Sequence, residues 1–361
     1  MQLGIVGLPF SGKSTLFQAV TKTHLDSAAM ARTDAHLGVV KVPDERLDKC
    51  SALFSPKSTI HATIELVDVV GLKKGVTGTT QFTTSFFSAV KTNDALIQVV
   101  RLFANDLVPH PDGSIDPLRD VATFETELIL ADMAVLEPRI EKIHKQLQRT
   151  HEELMKKELP VLEKCLAVLH AEKPLRDEDL SKEELLILKT YQLLTLKPML
   201  IALSLDESQQ SVVESEVSRM AQAKVGLRTR VVAFFGKIDM EMSELSGDEA
   251  RMFMTEYGIK ESALDTLIRE AYALLGLQSF LTVGEDECRA WTIRTGMTAQ
   301  EAAGVIHSDF YNKFIRAEVV HYDDFIAAGG STAKVKEAGH WRLEGKGYVV
   351  KDGDILNIRH S

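Results

Sequence analysis

The stretch Gly7-Leu-Pro-Phe-Ser-Gly12-Lys13-Ser14 constrains this chain more than any other. It satisfies the pattern G-x-x-x-x-G-K-[ST] in full, and its flanks are the required ones. A short apolar run from Met1 to Gly7 reads as a strand, and Ser14 to Val20 reads as the helix that follows. Each part has a physical purpose. Two glycines let a backbone loop curl its N–H groups around phosphate oxygens, and the N-terminus of the next helix adds a positive field. Lys13 would reach the β- and γ-phosphates of a nucleoside triphosphate, where it is the candidate catalytic group, and the Ser14 hydroxyl would ligate Mg²⁺. Gly7, Pro9, Phe10, Ser11, Gly12, Lys13, Ser14 and Thr15 are the nucleotide-binding residues expected in this loop.

A second element, Asp68-Val-Val-Gly71, ends the apolar strand Ile64–Val67. A carboxylate at that tip suits Mg²⁺, and Gly71 lets a backbone N–H approach a γ-phosphate. Leu72 follows, where many small GTPases carry the glutamine that orients the attacking water. Leucine cannot hydrogen-bond water, so the hydrolytic apparatus must differ and low intrinsic turnover is expected. Residues 73–85 are rich in Gly and Thr and read as a switch loop. The other switch is expected around Arg32-Thr33-Asp34, with Thr33 as a third metal ligand.

Apolar runs at 63–70, 95–100, 199–205 and 231–235 alternate with helical stretches, as in a parallel α/β sheet. The rhythm breaks between 124 and 196. Ile129, Met133, Leu136, Ile140, Ile143, Leu147 and Leu154 make a coiled-coil-like seam, and Val161, Leu162, Leu166 and Leu169 a second apolar set. These imply an antiparallel helical hairpin turning near 148–160, with Pro160 at a kink or restart. One more helix is expected at 181–194. From about 278 short strands (279–283, 288–293, 315–320, 348–350, 355–358) flank one helix at 299–311, a small α+β domain. The expected organisation is therefore a P-loop NTPase sheet of the Ras-like G-domain type (1–123 and 197–277), a helical insertion (124–196) and a C-terminal domain (278–361).

Base recognition departs from the guanine-specific pattern N-K-x-D. The strand 199–203 ends in Ser204-Leu205-Asp206-Glu207, while Gly236-Lys237-Ile238-Asp239 lies one strand later. Ser204, Leu205, Glu207 and Gly236 are the expected base-side residues, and Ser204 cannot supply the paired donor and acceptor of an amide. Strong GTP selectivity is not expected.

Across 361 residues the chain carries 42 Lys and Arg against 52 Asp and Glu, a net charge of −10. That argues against generic attraction to nucleic acid or anionic membrane. The C-terminal segment, with 10 basic and 12 acidic residues from 278 on, is not a basic module by charge. A local basic stripe on the helical insertion (Arg139, Lys142, Lys145, Arg149, Lys156, Lys157, with His144 and His151) could face RNA or could be a solvated face. Cys50, Cys165 and Cys288 are too few and too far apart for a disulfide framework or a metal site. With no membrane-length apolar run and no leader pattern, a cytoplasmic location is expected.

With these residues in place, the chain resembles the YchF/Obg-like ATPase family of translation-factor-class P-loop proteins. The resemblance rests on Gly12-Lys-Ser-Thr-Leu-Phe17, Gly38-Val-Val-Lys-Val-Pro-Asp-Glu-Arg-Leu-Asp48, Asp68 to Gly75 and Lys197-Pro-Met-Leu200. It is most specific at Arg289-Ala-Trp-Thr-Ile-Arg294, Ala302 to His307, Phe314 to Glu318 and Trp341 to Lys346. It implies that 278–361 is a TGS domain, a ubiquitin-like β-grasp module, and that the insertion is a coiled-coil hairpin. It also implies ATP binding in preference to GTP, with Mg²⁺, and a ribosome or RNA partner. Two functions are consistent with this: a slow ATP-hydrolysing (possibly GTP-hydrolysing) regulatory switch, or a nucleotide-stabilised ribosome or RNA adaptor with negligible turnover. The family Asn at the base motif is Ser204 here, and its P-loop Asn and Val are Phe10 and Ser11.

Overall fold

The computed structural model describes residues 1–23, 36–69, 72–74, 80–149, 152–224, 226–245, 247–256 and 261–361. Thr33 and the switch expected around it, Gly71, and 75–79 of the second switch lie outside the described residues. From the N-terminus come β1 (Gln2–Val6), α1 (Lys13–Thr21), β2 (His36–Lys41), α2 (Glu45–Phe54), β3 (Ser58–Ile60) and β4 (Thr63–Asp68). Next are β5 (Leu72–Lys74), β6 (Thr80–Phe82), α3 (Thr84–Lys91) and β7 (Ala95–Arg101). The helical insertion contributes α4 (Pro117–Leu147), α5 (Glu153–His170) and α6 (Lys182–Leu188). Then β8 (Met199–Leu205), α7 (Val213–Ala223), β9 (Thr229–Phe235), α8 (Gly236–Glu244), α9 (Gly247–Glu256) and α10 (Ala263–Leu274) follow. The last part holds β10 (Leu277–Val283), β11 (Glu287–Arg294), α11 (Ala299–Ile306), α12 (Ser308–Asn312), β12 (Phe314–His321), α13 (Tyr322–Ala327), α14 (Thr332–Glu337), β13 (Arg342–Glu344) and β14 (Asp354–His360).

The first sheet has the order β2-β4-β1-β7-β8-β9. Strands β4, β1, β7, β8 and β9 run parallel. All seven residues of β7 and of β8 are buried, which is why both read as unbroken apolar runs. Because the strands are parallel, their C-terminal ends share one edge. The glycine loop after β1, Asp68 at the end of β4, the loop after β7, Ser204 and Leu205 at the end of β8, and Gly236 after β9 are thereby brought to the edge where open α/β sheets bind ligands.

Two compact units are present: Met1–Gly38 with Glu65–Leu274, and Val39–Ile64 with Leu275–Ser361. Sequence patterning had placed 39–64 with the first sheet, and the structure groups it with the C-terminal unit. The cause is pairing: Ser58, Thr59 and Ile60 of β3 run parallel to Glu287, Cys288 and Arg289 of β11. Leu47 and Cys50 of α2 are buried, and Arg46 holds Asp352 through hydrogen bonds of 2.8 and 3.2 Å. In this unit the sheet order is β13-β12-β14-β10-β11-β3. Ala299, Ala302 and Ala303 of α11 lie in one core with Phe280, Ala317, Val319 and Leu356, the helix-on-mixed-sheet packing of a β-grasp fold. The expected helix 299–311 is two helices, interrupted at His307, which is extended (φ −160°) and accepts from Asp309 N through Nδ1 at 3.1 Å. The expected strand 348–350 is a single bridge, Thr298 to Val349.

The insertion has an apolar core of its own. Ile129, Leu136, Ile140 and Ile143 of α4 pack with Val161, Leu162, Cys165 and Leu169 of α5. Leu154 leaves the expected seam and is 81% exposed, because it sits in the first turn of α5. That helix runs through Pro160 rather than restarting there. The expected helix 181–194 stops at Leu188 and ends in a 3₁₀ turn to Tyr191. At the root of the insertion, buried Asp132 accepts from Leu194 N, Thr195 N and Thr195 Oγ1 at 2.7, 2.8 and 2.7 Å. Buried Arg176 pairs with Glu125 there as well. The basic stripe is interleaved with acids: Arg139 binds Glu158 at 2.7 Å and Tyr191 at 3.1 Å, Lys156 meets Glu153 at 2.8 Å and His144 meets Glu163 at 3.0 Å. His151 lies outside the described residues.

Candidate nucleotide site

The loop between β1 and α1 is a cradle that only glycine can complete at two points. Gly7 has φ +142°, and a Cβ there would sit 2.4 Å from the Val99 carbonyl oxygen. Gly12 has φ +102°, and its Cβ would sit 2.9 Å from Ser204 Oγ. Phe10 takes φ +63° and is 56% exposed, an uncommon backbone state for a bulky residue. Lys13 Nζ donates to the carbonyls of Gly7 at 3.0 Å and Leu8 at 2.8 Å. Its ammonium thus lies folded across the mouth of the loop. Burial pushes Lys13 down to about 8, and the Asp68 charge opposes that shift.

Asp68 is buried, and burial raises its pKa above the usual carboxylate range while Lys13, His36 and a hydrogen bond from the Ser14 hydroxyl pull it back. The hydroxyl and carboxylate expected to hold Mg²⁺ are therefore already in contact. Two hard oxygen donors beside a phosphate cradle fit that ion. Ser11 Oγ is buried without a hydrogen-bond partner, as it would be beside a site that takes a polar ligand. Phe10 to Thr15, with Phe103, Asn105 and Val108, line a cavity of about 280 Å³. Pro9 is half-buried and lines neither this cavity nor the next.

A cavity of about 790 Å³ lies at the base side, and Gly12, Thr15, Phe103 and Asn105 line it as well as the first. That volume is within the usual range for a small-molecule site. Ser204, Leu205, Glu207 and Gly236, the residues singled out in the sequence for the base, line it. So do Phe103, Ala104 and Asn105, which sequence reasoning did not single out. The signal that could have found them is the parallel sheet itself, since they follow β7 at the ligand edge.

Of the carboxylates near the base side, two are committed elsewhere. Asp206 lines the cavity too, and its Oδ1 caps the 3₁₀ turn after β8, accepting from Ser208 N at 2.9 Å. Asp239 is 3% exposed and accepts from Phe235 N at 2.7 Å. Burial, with help from the Asp265 charge, pushes it up to about 7. Asp239 does not line the cavity, although Gly236, Lys237 and Ile238 do, so this segment does not present a guanine-reading carboxylate. Glu207 is exposed within the lining.

Residues 277–361 match the family YchF-GTPase_C, described as a protein of unknown function, and residues 2–124 match a family described as a 50S ribosome-binding GTPase. The "Ribosome-binding ATPase YchF" of Bacillus subtilis (strain 168) is 42% identical over 99% of this chain and 98% of its own. This chain belongs to the YchF family. The Escherichia coli O157:H7 YchF is 40% identical, with 98% of each chain covered. The solved Schizosaccharomyces pombe YchF GTPase superposes with a TM-score of 0.86 at 32% identity, covering 99% of this chain and 97% of that one. The YchF assignment thus spans both units and the insertion. Among the described residues no helix is long and apolar enough to cross a membrane.

Proposed function

We propose that this chain binds ATP with Mg²⁺, hydrolyses it slowly, and works as a ribosome-associated regulatory switch in the cytoplasm. The observation that carries the reading is the pair of cavities at one sheet edge. A complete phosphate loop lies at one end, and the other end is formed without an Asn-Lys-x-Asp carboxylate. Lys13 holds and polarises the transferred phosphate, Ser14 and Asp68 hold the metal with Thr33, and Gly71 approaches the γ-phosphate. Magnesium when bound neutralises charge on the phosphate oxygens. Ser204, Leu205, Glu207 and Gly236, joined by Phe103 and Asn105, receive the base. With leucine at 72, no side-chain amide follows Gly71 to orient water, in keeping with slow turnover.

Relatives carrying the name ribosome-binding ATPase support the partner. The domain limits 1–123 with 197–277, 124–196 and 278–361 are proposed as the working divisions, except that 39–64 groups with 278–361. The test is ATP and GTP turnover with and without ribosomes, together with co-sedimentation of the chain lacking the hairpin tip, residues 145–156. Slow turnover and ribosome binding that weakens without the tip support the switch. Binding without any turnover in either condition would leave a nucleotide-stabilised adaptor instead.

A further inference from the structure

One buried cation lies outside the roles assigned so far. Arg101 is the last residue of β7, directly opposite Ser204 on β8, and is only 2% exposed. Among the described residues no carboxylate forms an ion pair with it. Its partners are instead the backbone of the loop that follows. Nε donates to Phe103 O at 3.0 Å, and Nη2 donates to Val108 O at 2.8 Å and more weakly to Asn105 O at 3.5 Å. The guanidinium carbon lies 4.5 Å from the centre of the Phe103 ring. Nη1 is buried and has no partner.

This arrangement is poor as a device for stability. A buried guanidinium without a counter-charge, and with one group unsatisfied, costs free energy that an apolar residue of similar size would not. It is well suited to fixing a loop. Residues 102–116 form neither helix nor strand, so their carbonyls have no ladder to define their directions. Three of those carbonyls converge on one planar fork, and the fork's face covers the ring of Phe103. A lysine has a single ammonium and no planar face, and could not hold the same set. Of the residues so held, Phe103 and Asn105 line both cavities, and Val108 lines the one at the glycine loop.

We propose that Arg101 is a positioning residue that sets the nucleoside wall of the site, so that affinity for the base and ribose depends on it far more than affinity for the phosphates does. The proposal rests on the nucleotide-binding reading above. Its test uses the full chain with R101M and R101K, and titrates Mg²⁺ complexes of ATP, GTP and inorganic triphosphate by calorimetry, with a thermal melt of each variant. Both variants should bind ATP and GTP at least tenfold more weakly than the natural chain, and inorganic triphosphate within twofold. Equal loss for all three ligands, or no loss for any, would overturn the proposal. Should R101M fail to melt cooperatively, R101K decides alone, since it keeps the charge and loses the fork. If the natural chain bound neither ATP nor inorganic triphosphate, the nucleotide reading itself would fall, an outcome distinct from either variant result.

Discussion

The phosphate end and the base end of this site are made by different means. The proposed phosphate end comes from one stretch of nine residues, Gly7 to Thr15, whose backbone would do most of the binding and whose glycines are forced by close approach to Val99 and Ser204. The base end is assembled from the tails of three strands, with Phe103, Ser204 and Gly236 drawn from positions about a hundred and thirty residues apart at the extremes. Local backbone geometry tolerates little change, because a Cβ or a lost charge has nowhere to be absorbed. An assembled wall spreads its contacts over several side chains, so single changes there should alter preference more than existence of binding.

Lys13→Ala is the severest test of that contrast. No other described side chain replaces its charge at the loop, so affinity for Mg²⁺–ATP should fall by about a hundredfold or more, and for inorganic triphosphate equally, with the melting temperature little changed. Calorimetric titration reads both. Triphosphate binding at the natural level in this variant would remove the phosphate end from its assigned place.

The base end should respond less. Since Asp206 and Asp239 are occupied with backbone N–H groups and Ser204 is no amide, ATP is expected to bind at least as well as GTP. Truncation of Glu207 to Ala should move the ATP-to-GTP ratio by less than about tenfold, or roughly 1.4 kcal/mol. A natural chain that bound GTP more than tenfold tighter than ATP would show that a guanine reader exists after all, and Glu207 would be the first residue to examine.

The same contrast explains what could be read in advance. That the glycine loop, Ser14 and Asp68 come together was legible because each is a short pattern with its own place at a strand end. Strands β7 and β8 were legible because burial on both faces leaves an unbroken apolar run. Phe103 and Asn105 were not, since nothing local marks a loop as a wall until the sheet places it. The grouping of 39–64 with the C-terminal unit was hidden for a related reason. Three residues of β3 pair with β11 across a separation of more than two hundred positions, and no periodicity in either reports the other. Leu154 was misplaced because a heptad count continues across a turn that ends the helix.

The two ends also separate by pH. Lys13 has its pKa lowered to about 8 in the free chain. A bound triphosphate favours the ammonium, so above pH 8 binding must take up a proton. Affinity for ATP should then fall by up to tenfold per pH unit between about 8 and 10, and be flat with respect to this group below 8. Lys13→Arg stays charged throughout and should lose that slope even if it binds more weakly. A wild-type affinity that stays level from pH 8 to 10 would mean that the folded-back ammonium is not desolvated as its contacts imply.

The last effect is on stability rather than affinity and concerns Asp239, the buried carboxylate of the segment Gly236–Asp239. Its pKa is raised to about 7, by burial first and by the Asp265 charge, against the N–H of Phe235. In the unfolded chain it titrates near 4. The native state therefore holds a proton that the unfolded state has lost between about pH 4 and 7. Stability from this group is complete below pH 4, declines across that window, and is lowest above 7. Asp239→Asn keeps an oxygen for the Phe235 N–H and removes the charge. It should leave stability at pH 4 nearly unchanged and add about 1–3 kcal/mol at pH 8, a rise of a few degrees in melting temperature for a chain of this size. Denaturant melts at the two pH values measure the difference directly. No gain at pH 8 would mean that Asp239 is ionised in the native chain, with its charge satisfied where it lies.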